Sequence, residues 1–201
     1  MREYKIKEVI TFAKTDGKFG GLSNMAPNFT LFVNEINIQS SELLYQACRF
    51  PLFPEIQKEI FQTKNPMDAK KVSRKYVALT RQDWDSVKFK IMKWCLEVKL
   101  VQNFTKFSEL LIETGELPIV EYSTKDQTWG ATPVADEMLR GKNALGRLLM
   151  ELRDNVKVGN ITANSVIQPL YIPAFLLFNN PISEIYCQNY FIADLDDIYA
   201  V

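Results

Sequence analysis

Histidine is absent from all 201 residues of this chain. That excludes Ser-His-Asp and Cys-His hydrolases and every zinc or non-haem iron site built on imidazole. Cysteine is scarce: Cys48, Cys95 and Cys187 are far apart, odd in number and form no CxxC pair. Neither a disulfide framework nor a thiolate metal site is expected. Net charge is also lacking, since 24 basic and 24 acidic side chains cancel. Affinity from a general basic field is thereby excluded, although a local patch remains open. No run of 18 apolar residues occurs, so no membrane span is expected, and the charged start MREYKIKEVITFAKTDGKFGG does not read as a secretion signal. A reducing, cytoplasmic setting is expected. What is present is 47% apolar and 12% aromatic residues, which excludes disorder and supports one compact core. Chemistry must come from Asp, Glu, Lys, Tyr, Cys or oriented backbone dipoles.

Periodicity predicts a single α+β domain over 1–201, mostly helical, with a small N-terminal β-hairpin or sheet. Ile6, Val9, Ile10 and Phe12 read as β. The runs Phe29–Val33 and Ile36–Ile38 around Asn34-Glu35 predict a hairpin. Ser40 is an N-cap residue, and Leu43, Ala47 and Phe50 then set a helical period that Pro51 ends. Short helices follow over 55–62 and behind the Asn65-Pro66 cap, the second with Ala69, Val72 and Tyr76 as its apolar face. Thr80 and Asp83 resemble a capping box ahead of the longest helix, where Trp84, Val87, Ile91, Trp94 and Val98 recur to about Asn103. Thr105–Thr114 is helical and stops at Gly115, 117–122 has strand composition, and 123–142 reads as a polar irregular loop. Ala144–Arg153 is a helix with Leu145, Leu148, Leu149 and Leu152 as its stripe.

Polar residues gather in four places. The loop Phe19–Met25 carries two glycines and Ser23-Asn24, a composition that lets backbone N–H groups face an anion. As packing it is simply a turn into the hairpin, and glycine loops are common enough to favour that. Glu42, Tyr45, Gln46 and Arg49 form one helical stripe. This is either a carboxylate with an amide and a guanidinium beside it or, as the ordinary amphipathic pattern favours, a solvated face. On the long helix Lys99 shares a face with Met92 and Cys95. It is either a partly desolvated, nucleophilic amine or a lysine that reaches water. The stretch Glu121–Gly130 leads to Asn143: Asp126 could orient water, Trp129 could stack on a base, and Asn143 could cap a helix that attracts phosphate. Otherwise it is a long loop pinned by a buried Trp, though loops of this length are usually functional.

The strings GGLSNMAP (20–27), SSELLYQACRF (40–50), WDSVKFKIMKWCLEVKLVQN (84–103), LLIETGELPIVEYSTKDQTWG (110–130) and GKNALGRLLMELR (141–153) together resemble the YbiA-like, or NADAR, family. They occur in the family's order. The resemblance implies a family core over 19–153, with 154–201 as a C-terminal extension packed on it. It implies an N-glycosidase that hydrolyses the bond between a ribose and a nitrogen base without a cofactor. The implied partner is a small phosphoribosyl or ADP-ribosyl molecule, with a riboflavin-pathway aminopyrimidine first in line. The alternatives are removal of ADP-ribose from guanine in nucleic acid, and a non-catalytic module that binds ADP-ribose. For the nucleic-acid reading, Lys70, Lys71, Arg74 and Lys75 make a basic segment that could line a groove.

Carried over by motif, Glu42 and Gln46 fall on the family's Glu-His-x-x-Gln-Ala stretch. Asp126, Trp129 and Gly130 fall on its Asp-x-x-Trp-Gly motif, and Asn143 and Gly146 on its Gly-x-Asn-x-Leu-Gly motif. Leu43 and Arg49 depart from it, standing where many members have histidine and lysine. A guanidinium stays protonated, so a Schiff base with the opened sugar would pass to Lys99 or Lys70. The implied catalytic set is Glu42, Lys99 and Asp126. Gln46, Arg49, Lys70, Trp129 and Gly130 are expected at the substrate, with Gly21, Ser23, Asn24 and Asn143 holding its phosphate.

Overall fold

The computed structural model describes residues 1–187; the end of the expected C-terminal extension, 188–201, lies outside the described residues. The fold is α+β, with helices as its bulk and small sheets at its edges. Strands β1 (Arg2–Lys5) and β2 (Ile10–Phe12) lead to the hairpin β3 (Leu31–Val33) and β4 (Ile36–Ile38). Helices α1 (Ser41–Ala47), α2 (Pro54–Phe61), α3 (Pro66–Lys75), α4 (Trp84–Gln102) and α5 (Phe104–Glu113) follow. Then come β5 (Ile119–Glu121), β6 (Thr132–Ala135), β7 (Met138–Gly141) and α6 (Ala144–Lys157), and the short hairpin β8 (Leu176–Leu177) and β9 (Asn180–Pro181).

The helices begin where local chemistry provides for them. Ser40 Oγ accepts from the Leu43 N–H, and Asn65 Oδ1 accepts from the Asp68 N–H at 3.0 Å, so both expected caps are made. Helix α4 is the axis of the core. Its first half shows one apolar face, but from Trp94 to Gln102 every residue except Glu97 is buried. Helices α1, α5 and α6 pack around it. Trp94, Phe50, Ile91 and Phe107 are all essentially inaccessible to solvent, and truncating a side chain of this kind costs roughly 3–5 kcal/mol when an aromatic is cut to alanine.

Three local expectations are corrected. Asp83 does not cap α4; its carboxylate takes the Arg81 guanidinium at 2.6 Å, and Thr80 Oγ1 accepts from Arg49 Nε at 2.8 Å. The span 123–142 is not irregular throughout, because β6 and β7 pair antiparallel within it. Composition hid them: Thr-Pro-Val-Ala and Met-Leu-Arg-Gly are weak strand sequences, and β7 gains its second partner from β1, remote in sequence. Finally, the polar stripe of α1 is not solvated. Loop, α3 and α4 cover it, and Glu42, Tyr45 and Gln46 are all buried.

β5 is the strand that matters for the site. It runs parallel to β2, with Ile10 opposite Ile119 and Phe12 opposite Glu121. Helix α6 lies against it so closely that a Cβ on Gly146 would meet the Ile119 carbonyl oxygen at 2.1 Å. Residues beyond α6 close over α2 and α4: Trp94 Nε1 donates to the Gln168 carbonyl at 2.9 Å, and Gln57 bonds both Leu176 and Phe178. Among the described residues no helix is long and apolar enough to cross a membrane.

Candidate active site

Two carboxyl groups from distant parts of the chain face one cavity of about 540 Å³. Glu42 lies on α1 and is 1% exposed. Its Oε1 accepts from Gln46 Nε2 at 2.8 Å and stands 3.5 Å from Lys70 Nζ; its Oε2 accepts from Asn24 Nδ2. Every neighbour is a donor, which suits a carboxylate with lone pairs on both oxygens. Asn24 is itself held, because its carbonyl accepts from the Glu42 N–H and from Ser41 Oγ, at 2.9 and 3.0 Å.

Glu121 ends β5 and lines the same cavity. Burial lifts its pKa from 4.5 to about 7, Lys70 opposes the rise, and Asp126 and Glu42 add to it. The two acids therefore differ in kind: one is wrapped in donors, the other is poised to hold a proton near neutrality. Such a split is how a single site runs acid and base chemistry together.

The cavity wall is aromatic on one side. Trp129 has the Tyr45 ring at 5.6 Å and the Phe89 ring at 5.1 Å, and Tyr45 also packs on Trp84 at 5.0 Å. Burial pushes the Tyr45 hydroxyl well above the ordinary phenol range, with Glu42 acting in the same sense, so this residue meets a ligand as a neutral hydroxyl. The Arg49 guanidinium lies over Trp84 at 5.4 Å. Helix α3 contributes Lys70, Ser73 and Arg74 to the lining.

Of the residues singled out by sequence, Asn24, Glu42, Gln46 and Arg49 come together at this cavity, joined by Lys70, Asp126 and Trp129. Gly21, Ser23, Lys99, Gly130 and Asn143 do not line it, and each has a visible structural task. Lys99 is 1% exposed, and its ammonium donates to the carbonyls of Gly21 and Ser23 at 2.5 and 2.9 Å. The rings of Phe29 and Phe107 close over it at 4.3 and 4.2 Å. Burial, and then Lys106, lower its pKa well below that of an ordinary lysine. Of the two readings that the sequence left open, the desolvated one holds. Yet its nitrogen is spent on the loop that carries Asn24, so a nucleophilic role for Lys99 is corrected to a positioning one. Gly21 and Ser23 serve that same loop, and a Cβ on Gly21 would meet Leu110 at 2.6 Å.

Asn143, expected at a phosphate, and Gly130, expected at the substrate, both pack on β5. Asn143 sits in the left-handed region at φ 51°, where Asn is among the tolerated residues. Its Oδ1 accepts from the Glu121 N–H at 3.0 Å and its Nδ2 donates to the Ile119 carbonyl at 2.8 Å. A Cβ on Gly130 would meet the Glu121 carbonyl oxygen at 2.4 Å. Both motifs thus fix the backbone that presents Glu121. Asp126 lines the cavity, but its Oδ1 accepts from the N–H groups of Thr128 and Trp129 at 2.8 and 2.9 Å, which sets the turn carrying the indole. Sequence reasoning missed Glu121 as a site residue. Its one signal was a carboxylate at the end of an otherwise apolar strand, where the chain leaves for a polar loop.

The comparisons with known proteins agree with this architecture. The NADAR domain family matches residues 11–157. N-glycosidase YbiA of Escherichia coli (strain K12) is 32% identical over 150 residues, covering 75% of this chain and 89% of that protein. The chloroplastic riboflavin biosynthesis protein PYRR of Zea mays is 30% identical over 172 residues, covering 79% of this chain but 27% of that longer protein. A riboflavin biosynthesis protein of Vibrio vulnificus is 29% identical, and the chain spans 41% of its length. The NMR structure of E. coli YbiA superposes with a TM-score of 0.64 at 31% identity, covering 76% of this chain and 86% of that one. The fold is that of a YbiA-like α+β protein. The chain belongs to the NADAR family.

Proposed function

We propose that this protein is an N-glycosidase that hydrolyses the ribose–nitrogen bond of a phosphoribosylated base, an aminopyrimidine of the riboflavin-pathway kind. The observation that carries the reading is the pair Glu42 and Glu121 at one cavity, the first among donors and the second with its pKa raised to about 7. Breaking the bond builds positive charge on the anomeric carbon and ring oxygen. Glu42, in a site shielded from water, offsets that charge. Glu121 gives its proton to the departing nitrogen as the C–N bond breaks. Water then bonds to the anomeric carbon and passes its proton to a carboxylate, so the products are a free base and a free sugar. Trp129 and Tyr45 hold the base, and Asp126 keeps Trp129 in place. The names of the relatives, N-glycosidase and riboflavin biosynthesis protein, support the same bond and substrate class.

A second reading keeps the bond and changes the route. Lys70 Nζ is 3.5 Å from Glu42 Oε1 at the cavity, which makes it the amine placed to trap the opened sugar, its nitrogen bonding to the aldehyde carbon and water leaving to give a Schiff base. Borohydride added during turnover separates the two: direct hydrolysis leaves the protein mass unchanged, and the Schiff-base route leaves a reduced sugar on Lys70. The reading as a whole is tested by incubating the protein with ribosylaminopyrimidine 5′-phosphate, ADP-ribosyl-guanosine and NAD, and reading free base by mass spectrometry. Release from the first is expected; three intact substrates would overturn it.

A further inference from the structure

The α3 wall holds polar groups that the reaction centre does not use. Ser73 is 1% exposed, lines the cavity, and has no hydrogen-bond partner for its Oγ among the described residues. A buried hydroxyl left this way costs roughly 1–3 kcal/mol, a cost that a hydrogen-bond partner reaching it from the cavity would offset. Arg74 lines the same wall beside it and has no carboxylate partner among the described residues. Lys70, one helical turn away, stands between this pair and Glu42.

The remaining cations of the basic segment are not part of this arrangement. Lys71 pairs with Asp68 at 2.8 Å and Lys75 with Glu59 at 3.1 Å, both at the exposed surface. The segment is therefore not a continuous basic stripe of the kind that tracks a nucleic-acid backbone. Its free charge is concentrated on one cavity wall. In the loop Phe19–Met25 and at the start of α6, where an anion was expected, Lys99 donates to the Gly21 and Ser23 carbonyls and the Asn143 amide bonds β5.

We infer that Ser73 and Arg74, with Lys70 at the inner edge, form an anion subsite that takes the phosphate carried on the 5′ oxygen of the substrate's ribose. This rests on the proposed reading for the rest of the site. Lys70 is shared between the phosphate and Glu42, which places the sugar between them. Glu42 repels a phosphate from the reaction centre, and the unpaired guanidinium draws it outward along α3. The subsite thus sets the direction in which the substrate lies, with its base toward Trp129 and its phosphate toward Arg74. The phosphate could be a terminal monoester or the first phosphate of a diphosphate; both present the same oxygens to Arg74.

The test is calorimetric binding of ribose, ribose 5-phosphate and ADP-ribose to wild type, Ser73→Ala, Arg74→Gln and Arg74→Lys. Ribose 5-phosphate is expected to bind about tenfold or more tighter than ribose, the scale of one charge-assisted hydrogen bond. Arg74→Gln should erase most of that preference, Ser73→Ala about threefold of it, and Arg74→Lys should retain part. Tighter binding of ribose 5-phosphate than of ADP-ribose assigns the subsite to a monoester, and the reverse assigns it to a diphosphate. Equal affinity of wild type for ribose and both phosphates, or an undiminished preference in Arg74→Gln, overturns the subsite. Because this reads binding alone, a phosphate preference without turnover of any substrate would sink the glycosidase and keep the subsite. Equal turnover with and without the phosphate would do the opposite.

Discussion

Replacing Glu121 by Gln separates what this carboxyl does for catalysis from what it costs the fold. A carboxyl moved from 4.5 to about 7 has its anion disfavoured by about 3 kcal/mol. The sign follows from proton binding. Below pH 4.5 the folded and unfolded chains both hold the proton, and the penalty is absent. From there to about pH 7 the folded state keeps the proton while the unfolded state loses it, so stability falls as pH rises. Above pH 7 the whole penalty is present. Glu121→Gln cannot ionise, and the main-chain bond from Glu121 N–H to Asn143 Oδ1 is untouched. The variant is therefore expected to match wild type near pH 4.5 and to exceed it above pH 7 by up to about 3 kcal/mol. Urea denaturation from pH 5 to 8.5 reads this directly. Over the same range, turnover should drop by about two to four orders of magnitude, as for loss of a general acid, and wild-type activity should decline above about pH 7 as the acid form disappears. A variant no more stable than wild type at pH 8 would refute the raised pKa and the assignment of Glu121 as the acid.

Other expectations follow from the same contacts. Lys99→Met should destabilise the protein by about 2–3 kcal/mol in chemical denaturation, because the Gly21 and Ser23 carbonyls lose a buried donor. Asn143→Gly keeps the left-handed backbone but frees the Glu121 N–H and Ile119 carbonyl. A loss of about 2 kcal/mol is expected in the same assay, together with a shifted alkaline limb of the pH profile. Trp129→Ala should raise KM by about tenfold or more, the scale of one base–aromatic stack, with a smaller change in kcat.

What was legible in the sequence was mostly local. The caps at Ser40 and Asn65 and the period of α4 are written in neighbouring residues, and all three are found. Glu42, Gln46 and Trp129 were legible through their motifs, and they do meet at one cavity. The burial of Glu42 and Gln46 was not legible, because it comes from a loop and helices elsewhere in the chain that cover the polar stripe of α1. Glu121 escaped for the same reason. Its raised pKa arises from burial, with Asp126 and Glu42 adding to it and Lys70 opposing it, and of these only Asp126 is near it in sequence. The Asn143 and Gly130 motifs were visible but misread. A polar residue at a helix start suggests an anion site, whereas here its amide is consumed by β5. Lys99 shows the converse: desolvation was one of two readings its face allowed, and two backbone carbonyls and two aromatic rings occupy the nitrogen that chemistry would need.

The central claim is that Glu42, held among Asn24, Gln46 and Lys70, stabilises a ribose losing its base. Its most direct measurement is the rate of free-base release from ribosylaminopyrimidine 5′-phosphate by wild type and by folded Glu42→Gln, followed by mass spectrometry. Wild type should release base with turnover, and the variant should be slower by about a hundredfold or more, as for loss of a preorganised charge at the reacting centre. Equal rates in the two proteins would contradict the account.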